Sequence, residues 1–216
     1  MHFAKIWGCH LGQEEVTLNS DTDTIQSIDP IQWDEKFIST SHAEPSFYYF
    51  AYGSCMCPVD LQRTLSEPTH SYVIGPATLQ GYRLGFYRHS RRRNCGALDI
   101  VKDANSSVEG VLYRLPWRLS DRLDEREEVR IDPDKQVHIG GYRPEMIEVH
   151  SLGKDYQNVR TYMVINKLAQ ELAPNDWYFN VVLRGAVTCG LTQEYCWQLF
   201  NHMYHLQRQQ VSYPNS

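Results

Sequence analysis

The chain has 216 residues, of which 42% are hydrophobic and 22% charged, a composition typical of a folded protein with a sizeable core. Its net charge of −5 argues against a nucleic-acid-binding protein, because neutralising phosphates requires a basic surface. The sequence contains no apolar run of about 18 residues, so it predicts neither a transmembrane helix nor a membrane partner.

Residues 1–46 differ from the rest and are predicted to be an N-terminal extension, partly disordered or packed on the main domain. The segment is rich in Ser, Thr and Asp, and Ile31, Trp33 and Phe37 are candidate anchors. Its start lacks the apolar region and cleavage site of a signal peptide. We therefore expect a cytoplasmic protein whose six cysteines are reduced thiols.

The main domain is predicted over residues 47–210. "FYYFAYG" indicates a short aromatic strand, and Pro58 then suits the first position of a helix. "SYVIGPATLQGYRLGFYRH" predicts two strands, with turn signals at Gly75 and Gly81. "CGALDIVKDANSSVEGVLYRLP" predicts two more strands, on either side of a polar turn over residues 104–107.

The second half of the domain continues with a helix, two strands and a helix. "LSDRLDEREEV" predicts the first helix, with Ser120 as its N-cap, and "YRPEMIEVHS" and "VRTYMVIN" predict an antiparallel pair. "TQEYCWQLFNHMYHLQRQ" predicts the last helix, capped by Thr192. Mostly adjacent antiparallel strands with a few helices indicate an α+β fold, with a mixed, largely antiparallel curled sheet or small β-barrel flanked by helices.

The first candidate site is "YYFAYGSCMC", where a strand breaks at Gly53 and enters a helix. Several backbone amides and the positive end of the helix dipole meet at such a point, and glycine allows positive φ and close approach of a ligand. This suits a carboxylate, a phosphate or an oxyanion; an ordinary strand-to-helix turn is the alternative. Cys55 and Cys57 lack the spacing of a redox pair and have no matching zinc ligands, so we predict no metal site.

The second candidate site is "LDEREEV". Asp124, Glu127 and Glu128 are spaced to share one helix face. Crowding raises the pKa of the most buried carboxyl of such a group, which then suits general acid/base work near neutral pH. A solvated acidic helix face is the alternative, and the pattern leaves open which glutamate turns inward.

A short basic run, "RHSRRRN", interrupts the acidic chain at Arg88 to Asn94. Four arginines in seven residues are typical of a solvated loop or hairpin tip. Contact with an anion or a partner is the alternative.

"YFAYGSCM", followed some 70 residues later by "LDEREEV", resembles the γ-glutamylcyclotransferase family of the AIG2-like superfamily. "GVLYRL" and "GYRPEMIEV" also fit, and the resemblance covers roughly residues 48–208. It implies that Glu127 is the catalytic acid/base. The substrate-binding residues that it implies are Tyr52, Gly53, Ser54, Cys55, Met56, Tyr142 and Tyr178. The chain departs from the family in two places, because Cys55 stands where Asn is common and Glu128 where a glycine often follows the acid.

The resemblance implies an intramolecular reaction. The α-amine of a γ-glutamyl group attacks its own side-chain carbonyl, 5-oxoproline forms, and the attached amine or amino acid leaves. Nucleophile and electrophile share one molecule, so we expect no cofactor, no metal and no covalent nucleophile. The implied partner is a small γ-glutamyl amino acid or peptide, and the question of a homodimer stays open.

Two alternatives remain at this point. Glutathione-specific and γ-glutamylamine-specific relatives are other enzymes of the same kind, although their loops differ from "YGSCM". A non-catalytic module that binds a γ-glutamyl metabolite or a partner on the same fold is an alternative of a different class. The presence of Glu127 favours an enzyme, since a pure binder needs no base.

Overall fold

A computed structural model of the protein describes residues 44–212. The candidate anchors Ile31, Trp33 and Phe37 lie outside the described residues, and the extension over residues 1–46 stays a proposal. Within the described part, no helix is long and apolar enough to cross a membrane.

Five long strands close into a barrel in the order β1–β3–β2–β6–β7. The described strands are β1 (Ser46–Ala51), β2 (Val73–Ser90), β3 (Cys95–Pro116), β4 (Ile131–Asp132), β5 (Val137–His138), β6 (Tyr142–Ser151) and β7 (Lys154–Val164). Neighbours in the barrel run antiparallel, except that β1 and β7 meet in parallel at Tyr49 and Arg160. The prediction of a mixed, largely antiparallel barrel in an α+β fold is therefore confirmed.

Helices flank the barrel. They are α1 (Pro58–Leu65), α2 (Ser120–Arg126), α3 (Asp176–Thr188) and α4 (Gln193–Ser212). Pro58 opens α1 as predicted, because the first helical position needs no N–H donor. Thr192 caps α4, since its hydroxyl accepts a 3.2 Å hydrogen bond from the amide of Tyr195.

The prediction of four strands between residues 73 and 116 is wrong, because β2 and β3 are each continuous. They pair from Val73–Tyr113 to Ser90–Cys95, and the pairing shifts register next to Gly75 and Gly81 without ending. Both glycines have positive φ (154° and 78°), so the turn signals mark bulges. The polar stretch at residues 104–107 likewise stays inside β3.

Three further elements differ from the sequence predictions. The N-cap of α2 is Leu119, and the Ser120 hydroxyl instead accepts a 2.7 Å hydrogen bond from Arg160. The predicted order also omitted the β4–β5 hairpin and α3. Helix α3 is rich in aromatic and β-branched residues that favour strands. Asn175 caps the start of the helix. Gly185 lets the helix pack closely on the β1 turn, because a Cβ there would lie 2.6 Å from the amide nitrogen of Cys57.

Candidate active site

Strand β1 leads directly into a tight turn. After Ala51 the chain passes through Gly53 into one 3-10 turn over Ser54–Met56, and α1 follows. The amides of Met56 and Cys57 donate to the carbonyls of Gly53 and Ser54 at 2.9 and 3.2 Å. The amides of Ser54 and Cys55 take no part in these bonds, so they are the donors that the turn can offer to a ligand.

Gly53 does not use the positive φ that glycine allows, because its φ is −121°. A Cβ at this position would lie 3.2 Å from the hydroxyl oxygen of Tyr178, on α3. The absence of a side chain thus lets the turn pack closely against that tyrosine.

The acidic segment does not present one helix face. Helix α2 ends at Arg126, Glu127 occupies the C-cap position, and Glu128 has a φ of 54°. The prediction that Asp124, Glu127 and Glu128 share a face is therefore wrong. The end of the helix turns the three carboxylates towards different partners.

Glu127 points back at the β1 turn. Its side chain is 15% exposed, and its Oε1 lies 3.4 Å from the Cys55 Sγ, which donates to it, and 3.7 Å from the Nε of Arg126. Burial raises the pKa of the Cys55 thiol to about 12; the Arg126 charge opposes this rise and the Glu127 charge adds to it. The thiol therefore stays protonated and able to donate at neutral pH.

Arg126 joins the acid, the turn and α1. Its side chain is only 3% exposed and donates to the Asp60 carboxylate at 2.5 Å, to the Ser54 hydroxyl at 3.0 Å and to the hydroxyl of Thr64. Because Asp60 is also buried, the charges of this pair are compensated inside the protein. The pair fixes the distance between the end of α2 and the start of α1.

Five tyrosines line the cavity, and three of them, Tyr52, Tyr142 and Tyr178, form a tyrosine wall that is bonded to the backbone. Tyr52 donates to the carbonyl of Tyr162 at 2.5 Å, and Tyr142 donates to the carbonyl of Leu98 at 2.8 Å. Tyr178 accepts from the Leu98 amide at 3.2 Å. Burial raises the pKa of Tyr52 and Tyr142 well above the ordinary value and that of Tyr178 to about 12. All three therefore stay neutral at physiological pH.

The structure brings the predicted site residues together around one cavity, with a single exception. Its lining includes Tyr52, Gly53, Ser54, Cys55, Glu127, Tyr142 and Tyr178. Met56 is fully buried behind this wall, where its carbonyl accepts from Tyr113 at 3.1 Å and Cys189 at 3.3 Å. Met56 thus supports the turn from the core side.

Two arginines of the basic run also line the cavity, and the sequence analysis did not assign them to the site. Arg91 and Arg92 are exposed at the β2–β3 hairpin tip, as predicted, whereas Arg88 and Arg93 turn inward. For Arg88, the alternation of side chains along a strand was a signal in the sequence. It places Arg88 on the same face of β2 as Ser90, which is buried.

Arg88 and Arg93 rest on the tyrosine wall. The Arg88 guanidinium lies 4.3 Å from the ring centre of Tyr142, and that of Arg93 lies 5.3 Å from the ring centre of Tyr178. The Arg88 guanidinium also lies directly against Gly141, so closely that a Cβ at this position would displace it. The Nη1 of Arg88 and the Nε of Arg93 are buried without a hydrogen-bond partner among the described residues. Buried donors left open in a cavity point to an anionic ligand.

Within the described part of the chain, no group of three or more His, Cys, Asp or Glu side chains is arranged to hold a metal ion. The groups that line the cavity are carboxylates, backbone amides, arginines and tyrosine hydroxyls.

Comparison with known proteins finds similarity to the same family that the sequence motifs resemble. The AIG2-like family model matches residues 107–199. YkqA of Bacillus subtilis (strain 168), provisionally named a gamma-glutamylcyclotransferase, is 32% identical over 171 residues, which are 79% of this chain and 57% of the relative. Residues 107–199 are thus similar to the AIG2-like family, and the longer match is to a protein provisionally named a gamma-glutamylcyclotransferase. The chain spans somewhat more than half the length of YkqA.

Two solved structures share the fold. The crystal structure of YkqA from Bacillus subtilis superimposes with a TM-score of 0.63 at 31% identity, covering 76% of this chain and 56% of that one. A solved gamma-glutamyl cyclotransferase gives a TM-score of 0.61 at 25% identity, covering 72% of this chain and 86% of that one.

Both departures from the family pattern have a structural explanation. Glu128 stands where family members often have glycine, and its left-handed φ of 54° is the conformation that glycine favours. Cys55 stands where asparagine is common, and its thiol donates a hydrogen bond to Glu127 in this structure.

Proposed function

We propose that this protein cyclises γ-glutamyl amino acids or small γ-glutamyl peptides to 5-oxoproline and releases the attached amine or amino acid. One observation carries the proposal: the Glu127 carboxylate faces the same cavity as the Gly53–Cys55 turn. A proton acceptor and a cluster of backbone donors are therefore available to one small substrate.

Glu127 acts as general acid/base. It takes a proton from the ammonium group of the γ-glutamyl moiety, whose nitrogen then attacks the side-chain carbonyl and closes the five-membered ring. As the C–N bond to the departing amine breaks, Glu127 gives this proton to the departing nitrogen. The ring nitrogen loses its second proton as the amide of 5-oxoproline forms, and this proton also passes to the departing amine, which leaves as an ammonium ion. The Cys55 thiol and Arg126 hold the carboxylate towards the turn.

The β1 turn stabilises the charge that develops on the carbonyl. The amides of Ser54 and Cys55 donate to the oxyanion, which water would otherwise have to solvate. Arg93, whose buried Nε has an open donor, binds the substrate α-carboxylate, and the neutral tyrosines shape the wall. Orientation of this kind can lower a barrier by roughly 7–11 kcal/mol.

A substrate pair tests the reaction type. Incubation with γ-glutamyl-alanine should release 5-oxoproline and alanine in equal amounts, quantified by mass spectrometry. N-acetyl-γ-glutamyl-alanine should release neither, because its nitrogen is no longer a nucleophile. Alanine released from the acetylated compound would indicate hydrolysis. Binding of γ-glutamyl-alanine without turnover would support the non-catalytic module instead.

We also propose that the protein is cytoplasmic and that it has no nucleic-acid partner. Both are consistent with a small-molecule substrate and with a net charge of −5.

A further inference from the structure

A strongly basic hollow adjoins the cavity. It lies between the β2–β3 hairpin and the loop before β6, and its charged lining consists of Arg88, Arg91, Arg92, Arg130 and Glu128. Arg88 and Glu128 also line the cavity, so the two spaces share a wall. The hollow therefore lies next to the cavity on the side of Arg88 and Glu128.

Three of these arginines have no internal counter-charge. Glu128 is bound to Arg88 at 2.6 Å. Within the described part of the chain, Arg91, Arg92 and Arg130 form no ion pair and no side-chain hydrogen bond, and all three are exposed. We call these three residues the arginine collar.

Acidic groups on the far side of the hairpin do not neutralise the collar. Arg92 also faces a second hollow, which contains the carboxylates of Asp60, Glu125 and Glu128. Asp60 is held by Arg126, and Arg63 and Arg122 line the same space. This hollow is therefore basic on balance as well.

A single solvated arginine is ordinary, but three unpaired arginines around one hollow are unusual. Like charges repel, so three unpaired cations around one concavity raise the local potential and concentrate anions there. The chain as a whole carries −5, which makes the collar a local exception. The collar lies beside the cavity. Its charges therefore suit a small anionic group on a bound substrate better than an extended polyanion.

We propose that the arginine collar selects γ-glutamyl substrates whose departing group carries a second negative charge, as an acidic amino acid does. This inference rests on the proposed function, because the departing group is defined by cyclisation at Glu127. Recognition is electrostatic and solvent-exposed, so it depends on ionic strength.

The test compares γ-glutamyl-glutamate with γ-glutamyl-glutamine, which have nearly the same size and differ by one charge. The wild-type kcat/KM should favour the glutamate compound about tenfold at low ionic strength, and the ratio should shrink as salt is added. The double variant Arg91→Gln/Arg92→Gln should bring the ratio close to one, because the kcat/KM of the more negatively charged glutamate compound falls more than that of the glutamine compound.

A matched control removes the same net charge elsewhere. Lys102 and Lys154 are exposed and line neither hollow, so the double variant Lys102→Gln/Lys154→Gln should keep the tenfold ratio. Equal kcat/KM values in the wild type, or a ratio that survives in the Arg91/Arg92 variant, would overturn the collar's role.

Failure of the proposed function gives a different result. If neither dipeptide releases 5-oxoproline, cyclisation is wrong, and calorimetric titration with the same two dipeptides then tests the collar alone. A tenfold tighter affinity for the glutamate compound supports recognition by the collar, and equal affinities overturn it.

Discussion

Two basic regions face the same cavity, and they differ in how their charges are satisfied. At the end of α2, Arg126 is almost fully buried and bonds to Asp60, Ser54 and Thr64. On the β2–β3 hairpin, Arg88 and Arg93 lie on aromatic rings and each leaves a buried nitrogen without a partner among the described residues.

This difference separates structural arginines from ligand-binding ones. A buried ion pair whose charges compensate each other holds two elements in place. Removing one member leaves an uncompensated buried charge. Arg88 and Arg93 each donate one hydrogen bond, to Glu128 and to the Ser54 hydroxyl, and each still has a buried edge donor left for an anion. We therefore expect substitutions in the first region to affect folding and those in the second to affect substrate binding.

The largest effect should come from Arg126→Met. This substitution leaves Asp60 buried and unpaired, so the free energy of unfolding should fall by about 3–5 kcal/mol. Urea denaturation measures it, with Arg91→Met, an exposed site, as the control that should change by less than about 0.5 kcal/mol. Adding Asp60→Leu should restore part of the loss. Similar unfolding free energies for Arg126→Met and Arg91→Met would show that Arg126 does not stabilise the fold.

Arg93→Gln should act on the substrate instead. We expect an unfolding free energy close to that of the wild type and a KM for γ-glutamyl-alanine that rises about tenfold, since a charge-assisted hydrogen bond to the substrate carboxylate is lost. Steady-state kinetics and urea denaturation of the same preparation separate the two effects. A stability loss comparable to that of Arg126→Met, with KM unchanged, would contradict the comparison.

A smaller effect is expected at Cys55, which links the turn to the acid. Cys55→Ala removes the donor to Glu127 and should lower kcat about fivefold, because one weak hydrogen bond orients the carboxylate. Cys55→Asn supplies an N–H donor and should retain most of the activity. Equal losses in both variants would assign Cys55 a packing role only.

The smallest effect concerns thiol reactivity. Because burial raises the pKa of Cys55 to about 12, the native protein should not be alkylated there by iodoacetamide at pH 8, whereas the unfolded chain should be. Peptide mapping by mass spectrometry reads out both states. Rapid native labelling at Cys55 would show that the thiol is ionised or exposed.

The parts of the site that sequence predicted are local, and the missed parts depend on the closed barrel. The turn at Gly53 and the acid at Glu127 belong to short motifs that can be recognised without knowing the fold. Arg88 and Arg93 become site residues only because β2 and β3 pair without interruption and carry the hairpin to the cavity.

The same distinction explains the errors in the strands. Gly75 and Gly81 are turn signals in a single sequence, but pairing over most of β2 is cooperative enough to absorb them as bulges. Packing of α3 around Gly185 likewise overrides the strand-favouring residues of that helix. Tertiary contacts determine both the continuous strand β2 and the helix α3. Local propensity contains no information on these contacts.

The most direct test of the proposed chemistry is turnover by Glu127→Gln, compared with Asp121→Asn on an exposed position of the same helix. Glutamine keeps the size of the side chain but cannot accept and return a proton. We predict that Glu127→Gln binds γ-glutamyl-alanine with a Kd close to that of the wild type and releases 5-oxoproline at least about a thousandfold more slowly. Asp121→Asn should match the wild type. Near-normal 5-oxoproline release by Glu127→Gln would contradict the assignment of Glu127 as the acid/base.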